Sequence, residues 1–128
     1  MIGNIELAKQ VLKQIEEFPE THNQHDFGRQ SECGTQCCIA GWTLMIAAPD
    51  EVSWASGFMS HKTDPPFTAR GVAIRAAELL QADDPVELLG DDVDDNSGLF
   101  YDYDNARALT RFRAMIAEAE AALEAVPA

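Results

Sequence analysis

The chain predicts a mainly α fold, a single small domain over residues 1–128 with four to five helices around a buried central helix at about 36–48. Three observations predict it. The run Cys33-Gly34-Thr35-Gln36-Cys37-Cys38-Ile39-Ala40-Gly41-Trp42, continuing through Thr43 to Ala48, carries only Gln36 and Thr43 as distinctly polar residues after Thr35. A helix apolar all round is stable only when other elements cover it. Amphipathic stripes near both ends of the chain supply that cover. The length of 128 residues, with 46% hydrophobic side chains, suits one core and excludes wholesale disorder.

Taken in order, Ile5, Ala8, Leu12 and Ile15 recur at spacings of three and four, which predicts a helix from about Asn4 to Phe18 halted by Pro19. Its polar face places Glu and Lys at helical spacing, and the helix reads as a lid on the central one. Residues 20–32 have no periodicity and read as a loop of functional length, including the segment His22 to Glu32. Gly34 suits a turn with positive φ, Thr35 suits the N-cap of the central helix, and Pro49 closes that helix. Val52-Ser53-Trp54 is strand-like, which leaves room for a short β-hairpin in the helical frame.

Arg70 to Ile74 reads as a strand or a helical start, and it leads into a helix ending near Gln81, with Gly71 weakening the first half. Asp84 and Pro85 open a helix of one or two turns through Val86, Leu88 and Leu89, and Gly90 ends it. Residues 91–104 form an acidic loop in a stretch with no basic residue between Arg75 and Arg107. Asp104 or Asn105 caps a last helix reaching about Ala125. Its buried stripe is Leu109, Phe112, Ile116, Ala119 and Leu123, with Arg107, Arg111 and Arg113 on or near the solvent side.

The formal net charge is -13, from 22 acidic and 9 basic side chains. Such an excess opposes direct binding to nucleic-acid phosphates or to an anionic membrane. It suits solubility, a basic protein partner, a cation, or mimicry of nucleic acid. No stretch approaches the roughly 20 apolar residues of a membrane span, and the first residues lack a secretion signal. Three cysteines, two of them adjacent, make no disulfide framework, so a reducing cytoplasm is expected.

Four chemical readings attach to particular residues. His22, His25, Cys33 and Cys37 supply two imidazoles and two thiols, a donor set for tetrahedral zinc. Cys37, near the start of a helix, could instead be a thiol nucleophile with His22 or His25 as base. Cys33 and Cys38 lie close enough in sequence for a redox disulfide. Against all three stands the use of buried cysteine as a small hydrophobe. Counted from Asp92, the acidic loop puts Asp94 and Asn96 at calcium-ligand positions, but its glycine is displaced to Gly98 and position twelve is Tyr103, so it fails as an EF-hand. No phosphate-cradling glycine motif or Ser-His-Asp pattern occurs, and His61 reads as a surface residue.

The segment Pro19-Glu20-Thr21-His22-Asn23-Gln24 followed by the Cys33–Trp42 run resembles a group of small proteins from actinobacteria and their bacteriophages. That group shows a His-x-Gln segment, a C-G-T-x-x-C-I-A-G-W box, an Ala-Ala-x-Leu-Leu helix and a Leu-Phe pair. Ala76-Ala77-Glu78-Leu79-Leu80 and Leu99-Phe100 match the later parts in order, so the resemblance covers most of the chain. This chain departs in having Phe27 where the group often has Trp, and in a longer acidic loop. The resemblance implies a phage-type origin and a shared fold, and no activity.

The expected function is therefore that of a non-enzymatic protein, without cofactor, that binds a host protein in the bacterial cytoplasm. Its expected interface combines Asp91, Asp92, Asp94 and Asp95 with Phe100, Tyr101 and Tyr103, aromatic residues ringed by charge. Two alternatives are a zinc-binding or thiol-dependent protein using His22, His25, Cys33 and Cys37, and an acidic mimic of nucleic acid.

Overall fold

The amphipathic start of the chain folds as helix α1, Ile5–Glu17, with the Asn4 side chain accepting a hydrogen bond from the Leu7 amide at 3.2 Å. Leu7, Ala8, Val11 and Ile15 form its buried face. The computed structural model describes residues 1–32, 34–65, 70–90 and 98–125. After α1 come strands β1, Gly28–Ser31, and β2, Gly34–Cys37, then helix α2, Ile39–Ala47. Strands β3, Val52–Ala55, and β4, Phe58–His61, precede helices α3, Arg70–Leu79, α4, Val86–Leu89, and α5, Asn105–Glu124. Short 3-10 turns lie at Pro19–Thr21, Pro49–Glu51 and Leu99–Tyr101.

The mainly α expectation is overturned by a four-stranded antiparallel sheet of order β2-β1-β4-β3. Half of that sheet was hidden for a physical reason. Gly28-Arg29-Gln30-Ser31 and Gly34-Thr35-Gln36-Cys37 show no alternation of apolar and polar residues, because Arg29, Gln30 and Ser31 are exposed, Thr35 and Gln36 are partly covered, and Cys37 alone is a buried side chain. Backbone pairing along the register Gly28↔Cys37 to Ser31↔Gly34 holds them instead. Gly34, at φ 108°, turns the chain between them.

The second hairpin is the one the composition hinted at. Ser56 and Gly57 have φ of 52° and 83°, the two positive values a type I′ connection requires. That turn sets Val52 opposite His61 and Trp54 opposite Met59. The hairpins join where Arg29 pairs with Phe58, and the Gln30 amide donates to the Gly57 carbonyl at 2.7 Å.

Strand β2 consumes residues expected to begin the central helix, so that helix is shorter than 36–48. Its N-cap is Cys38, not Thr35: the Cys38 sulfur accepts from the Gly41 amide at 3.5 Å. The expectation of complete burial holds for Ile39, Ala40, Gly41, Thr43 and Leu44. Thr43 satisfies its hydroxyl on the Ile39 carbonyl at 2.8 Å. Trp42 is only half-buried, its indole N–H donating to the Thr21 carbonyl at 2.9 Å.

Helices α1 and α3 pack on α2, α5 packs on α1, and one continuous apolar cluster includes Ile15, Ile39, Leu44, Leu80, Phe100 and Phe112. The segment Arg70 to Ile74 is helical. In α5, Asp104 is the cap, accepting from the Arg107 amide at 2.9 Å, while Leu123 is exposed rather than part of the buried stripe. No helix among the described residues is long and apolar enough to cross a membrane.

Gly41 shows how tightly α2 is seated. A Cβ at that position would lie 1.6 Å from the Phe27 carbonyl oxygen, a backbone atom with no rotamer to change. Gly41→Ala is expected to cost at least about 3 kcal/mol, the upper range for overpacking. Urea unfolding should show a lower midpoint with an unchanged slope. A variant as stable as the parent would mean that the segment at Phe27 shifts freely.

Candidate functional site

The segment His22 to Asp26 runs across the N-terminal end of α2, and its centre is Gln24, 1% exposed. The Gln24 Oε1 accepts from the Ile39 amide at 2.9 Å, which fixes that atom as the oxygen. Its Nε2 then donates to the carbonyls of Leu99 and Asp102 at 3.4 and 3.1 Å. The Gln24 amide donates to Asn105 Oδ1 at 2.8 Å, and Asn105 Nδ2 donates to the His22 carbonyl at 3.2 Å. One glutamine thus ties α2, the Leu99–Tyr101 turn and the start of α5 together. The stretch read as a loop is ordered by these bonds.

His22 is buried, and its Nε2 lies 2.9 Å from Gln24 Oε1. Because that oxygen only accepts, Nε2 carries the proton. Burial lowers the His22 pKa below its ordinary value, with the Gln24 bond opposing. His22 bridges Cys37 through the backbone, but the Cys37 side chain is wholly buried and burial pushes its thiol far up. Burial likewise pushes Cys38 up to about 12. Such thiols are poor nucleophiles at neutral pH. Cys33 lies outside the described residues, and His25 is exposed and directed elsewhere. Among the described residues no three His, Cys, Asp or Glu side chains are grouped to hold a metal.

His25 stacks on Tyr103, with ring centroids 5.5 Å apart and planes 8° from parallel. Phe27 meets Tyr101 edge-on at 6.0 Å. Between these pairs lies a dent of about 50 Å³ whose floor includes Gln24 and Phe100. The structure therefore joins residues assigned to two different sequence readings, His25 from the donor set and Tyr101 and Tyr103 from the acidic interface. Phe100 is 2% exposed and belongs to the core, whereas Tyr103 is 51% exposed. Asp91, Asp92, Asp94 and Asp95 lie outside the described residues.

Asp102 anchors this face from below. Its side chain is 2% exposed, yet its carboxylate receives Arg107 Nη2 at 2.7 Å, Arg107 Nε at 2.8 Å and Arg111 Nη1 at 3.1 Å. The Asp104 amide adds a bond at 3.1 Å. The Arg107 guanidinium holds Asp102 far below the usual carboxylate range, against the opposing effect of burial. Two of the arginines expected on the solvent side thus serve a buried acid.

A second cluster lies where the hairpin β3–β4 meets α3, and sequence reasoning missed it. His61, read as a surface residue, is 9% exposed. Its Nε2 is 2.8 Å from Glu51 Oε1, and its Nδ1 is 2.7 Å from Thr63 Oγ1. Arg75 grips the same carboxylate, Nε to Oε1 at 2.9 Å and Nη2 to Oε2 at 3.2 Å. Arg75 and His61 both lower the Glu51 pKa. These groups border an open cleft of about 660 Å³, shared with Asp64, Arg70 and Ile74. The Ser56-Gly57 turn was the available signal, because a two-residue hairpin there sets Glu51 beside His61. No family model matches the chain, and no curated protein or solved structure matches it.

Proposed function

We propose that the protein is a phage-type acidic binder that docks a host protein in the bacterial cytoplasm through the face formed by His25, Phe27, Tyr101 and Tyr103. The observation that carries this reading is the half-open His25–Tyr103 stack. Aromatic rings held on a rigid base lose little conformational freedom when a partner covers them. Here the base is the Gln24 and Asp102 hydrogen-bond networks. A net charge of -13 steers the protein toward basic surfaces. A partner's arginine or lysine placed over the Tyr103 ring gains a cation–π contact. Cys37 and Cys38 are free thiols, which suits a reducing compartment.

A photo-crosslinking side chain at position 103 tests this in lysate of the host cell. It is expected to capture a discrete protein that the same group at exposed Lys13 does not. Tyr103→Ala should then weaken the captured complex about 30-fold, a hot-spot loss of about 2 kcal/mol. Added salt should slow association. Equal capture from both positions, no capture at all, or unchanged affinity in Tyr103→Ala would overturn the proposal.

A further inference from the structure

The cleft between the β3–β4 hairpin and α3 is remote in sequence from the aromatic face and owes nothing to it. Three side chains on its wall form an unbroken hydrogen-bonded chain: carboxylate, imidazole, hydroxyl. The direction of each proton follows from the neighbours. The Thr63 amide donates to His61 Nδ1 at 3.2 Å, so Nδ1 is the bare nitrogen and Nε2 carries the hydrogen. The Thr63 hydroxyl therefore faces an acceptor that can take its proton. Glu51 holds the opposite N–H, and Arg75 fixes Glu51 with two bonds. A nucleophile within reach of a base that a third group orients is the arrangement of acyl-transfer sites on many unrelated folds.

We propose that this cleft is a hydrolytic site for small carboxylic esters, with Thr63 as nucleophile and His61 as general base. The Thr63 oxygen attacks the ester carbonyl while its proton passes to His61 Nδ1. The imidazolium so formed is stabilised by the Glu51 carboxylate at Nε2. The carbon–oxygen bond to the alcohol breaks, the alcohol leaves with the proton from Nδ1, and an acyl ester remains on Thr63. Water then attacks that ester, giving its proton to Nδ1. The bond from the acyl carbon to the Thr63 oxygen breaks as Nδ1 returns its proton to that oxygen, the carboxylic acid departs, and the sum is ester plus water to acid plus alcohol.

Arg70, which makes no ion pair among the described residues, lines the same cleft and is available to oppose charge on the carbonyl oxygen. Ile74, 42% exposed on that wall, offers an apolar seat for a short acyl chain. Glu51 and Arg75 touch no substrate in this scheme and act as positioning residues.

The test uses the full chain with p-nitrophenyl acetate and butyrate, and separately with a fluorophosphonate. Nitrophenolate release above the buffer rate is expected, retained in Thr63→Ser and reduced at least about 100-fold in Thr63→Ala and His61→Gln. Thr63 is exposed, so Thr63→Ala should keep the parent melting temperature. Glu51→Gln should lower kcat per active site titrated with the fluorophosphonate, a normalisation that removes any loss of folded protein. Peptide mapping should find the phosphonyl group on the Thr63 oxygen, with fluoride as leaving group. Hydrolysis equal to buffer, full activity in Thr63→Ala, or labelling confined to Lys62 would overturn the proposal.

Discussion

Gln24→Leu is expected to lose about 4 kcal/mol of stability, enough to unfold much of a domain of this size at moderate temperature. Leucine keeps most of the volume and none of the bonds. It strands the Ile39 amide, two carbonyls and the His22 ring proton in a site from which water is excluded. Each buried group left unpaired costs roughly 1–3 kcal/mol. Two such losses already exceed what a well-packed methyl could return. Gln24→Glu separates the contributions, since it keeps the acceptor for Ile39 and His22 but removes both donors. Urea unfolding of the two variants should rank both well below the parent. A Gln24→Leu protein within about 1 kcal/mol of the parent would mean that the segment His22 to Asp26 relaxes outward and hydrates.

Asp102→Asn is expected to cost about 2–3 kcal/mol at neutral pH. Breaking a fully buried ion pair typically costs about 3–5 kcal/mol because the surviving charge is left dry. Here the surviving charges are not dry: the Arg107 side chain is 66% exposed and the Arg111 side chain 33%, so both can rehydrate. The loss is therefore that of charge-assisted hydrogen bonds, at the lower end of the range. The sign with pH follows from the direction of the shift. The folded-state pKa of Asp102 lies below its unfolded value, so the folded state binds the proton less readily. Its contribution is present in full above the unfolded carboxyl pKa of about 4 and disappears as pH falls toward the folded value. Chemical unfolding from pH 7 to pH 2 should show a constant gap between parent and variant above about pH 5 that narrows below about pH 4. A gap that persists unchanged at the acid end would remove Asp102 from the acid response.

The legible parts of the fold were those with one-dimensional signals. Asn4, the stripe through Ile15 and Pro19 define α1 because cap, period and stop agree. Asp104 and Gly90 mark helix ends by local geometry alone, and the positive φ of Gly34 follows from its missing side chain. The hairpin β1–β2 carries no such signal. Apart from the buried Cys37 its side chains are polar, and its stability comes from backbone pairing and from β4, which follows 20 residues or more later in the chain. The same pairing turned Gln36 and Cys37 from helix to strand and moved the helix cap from Thr35 to Cys38.

The sites divide along the same line. That His22 and Gln24 matter was visible as a segment; that Gln24 is a structural knot joining α2 to α5 was not, because its partners on those helices, Ile39 and Asn105, lie 15 and 81 residues away. Exposure of Tyr103 and burial of Phe100 depend on how the Leu99–Tyr101 turn sits over Gln24. The chain of Glu51, His61 and Thr63 exists only because a hairpin register pairs Val52 with His61, which brings the adjoining Glu51 within reach of the ring, and α3 delivers Arg75 to the same carboxylate. By itself, the sequence determined the amphipathic helices, their caps, an apolar central segment and the strong acidity, all of which follow from neighbours within a turn or two. Tertiary structure alone decided which polar groups are buried and paired, since desolvation and hydrogen-bond geometry depend on residues brought together from distant parts of the chain.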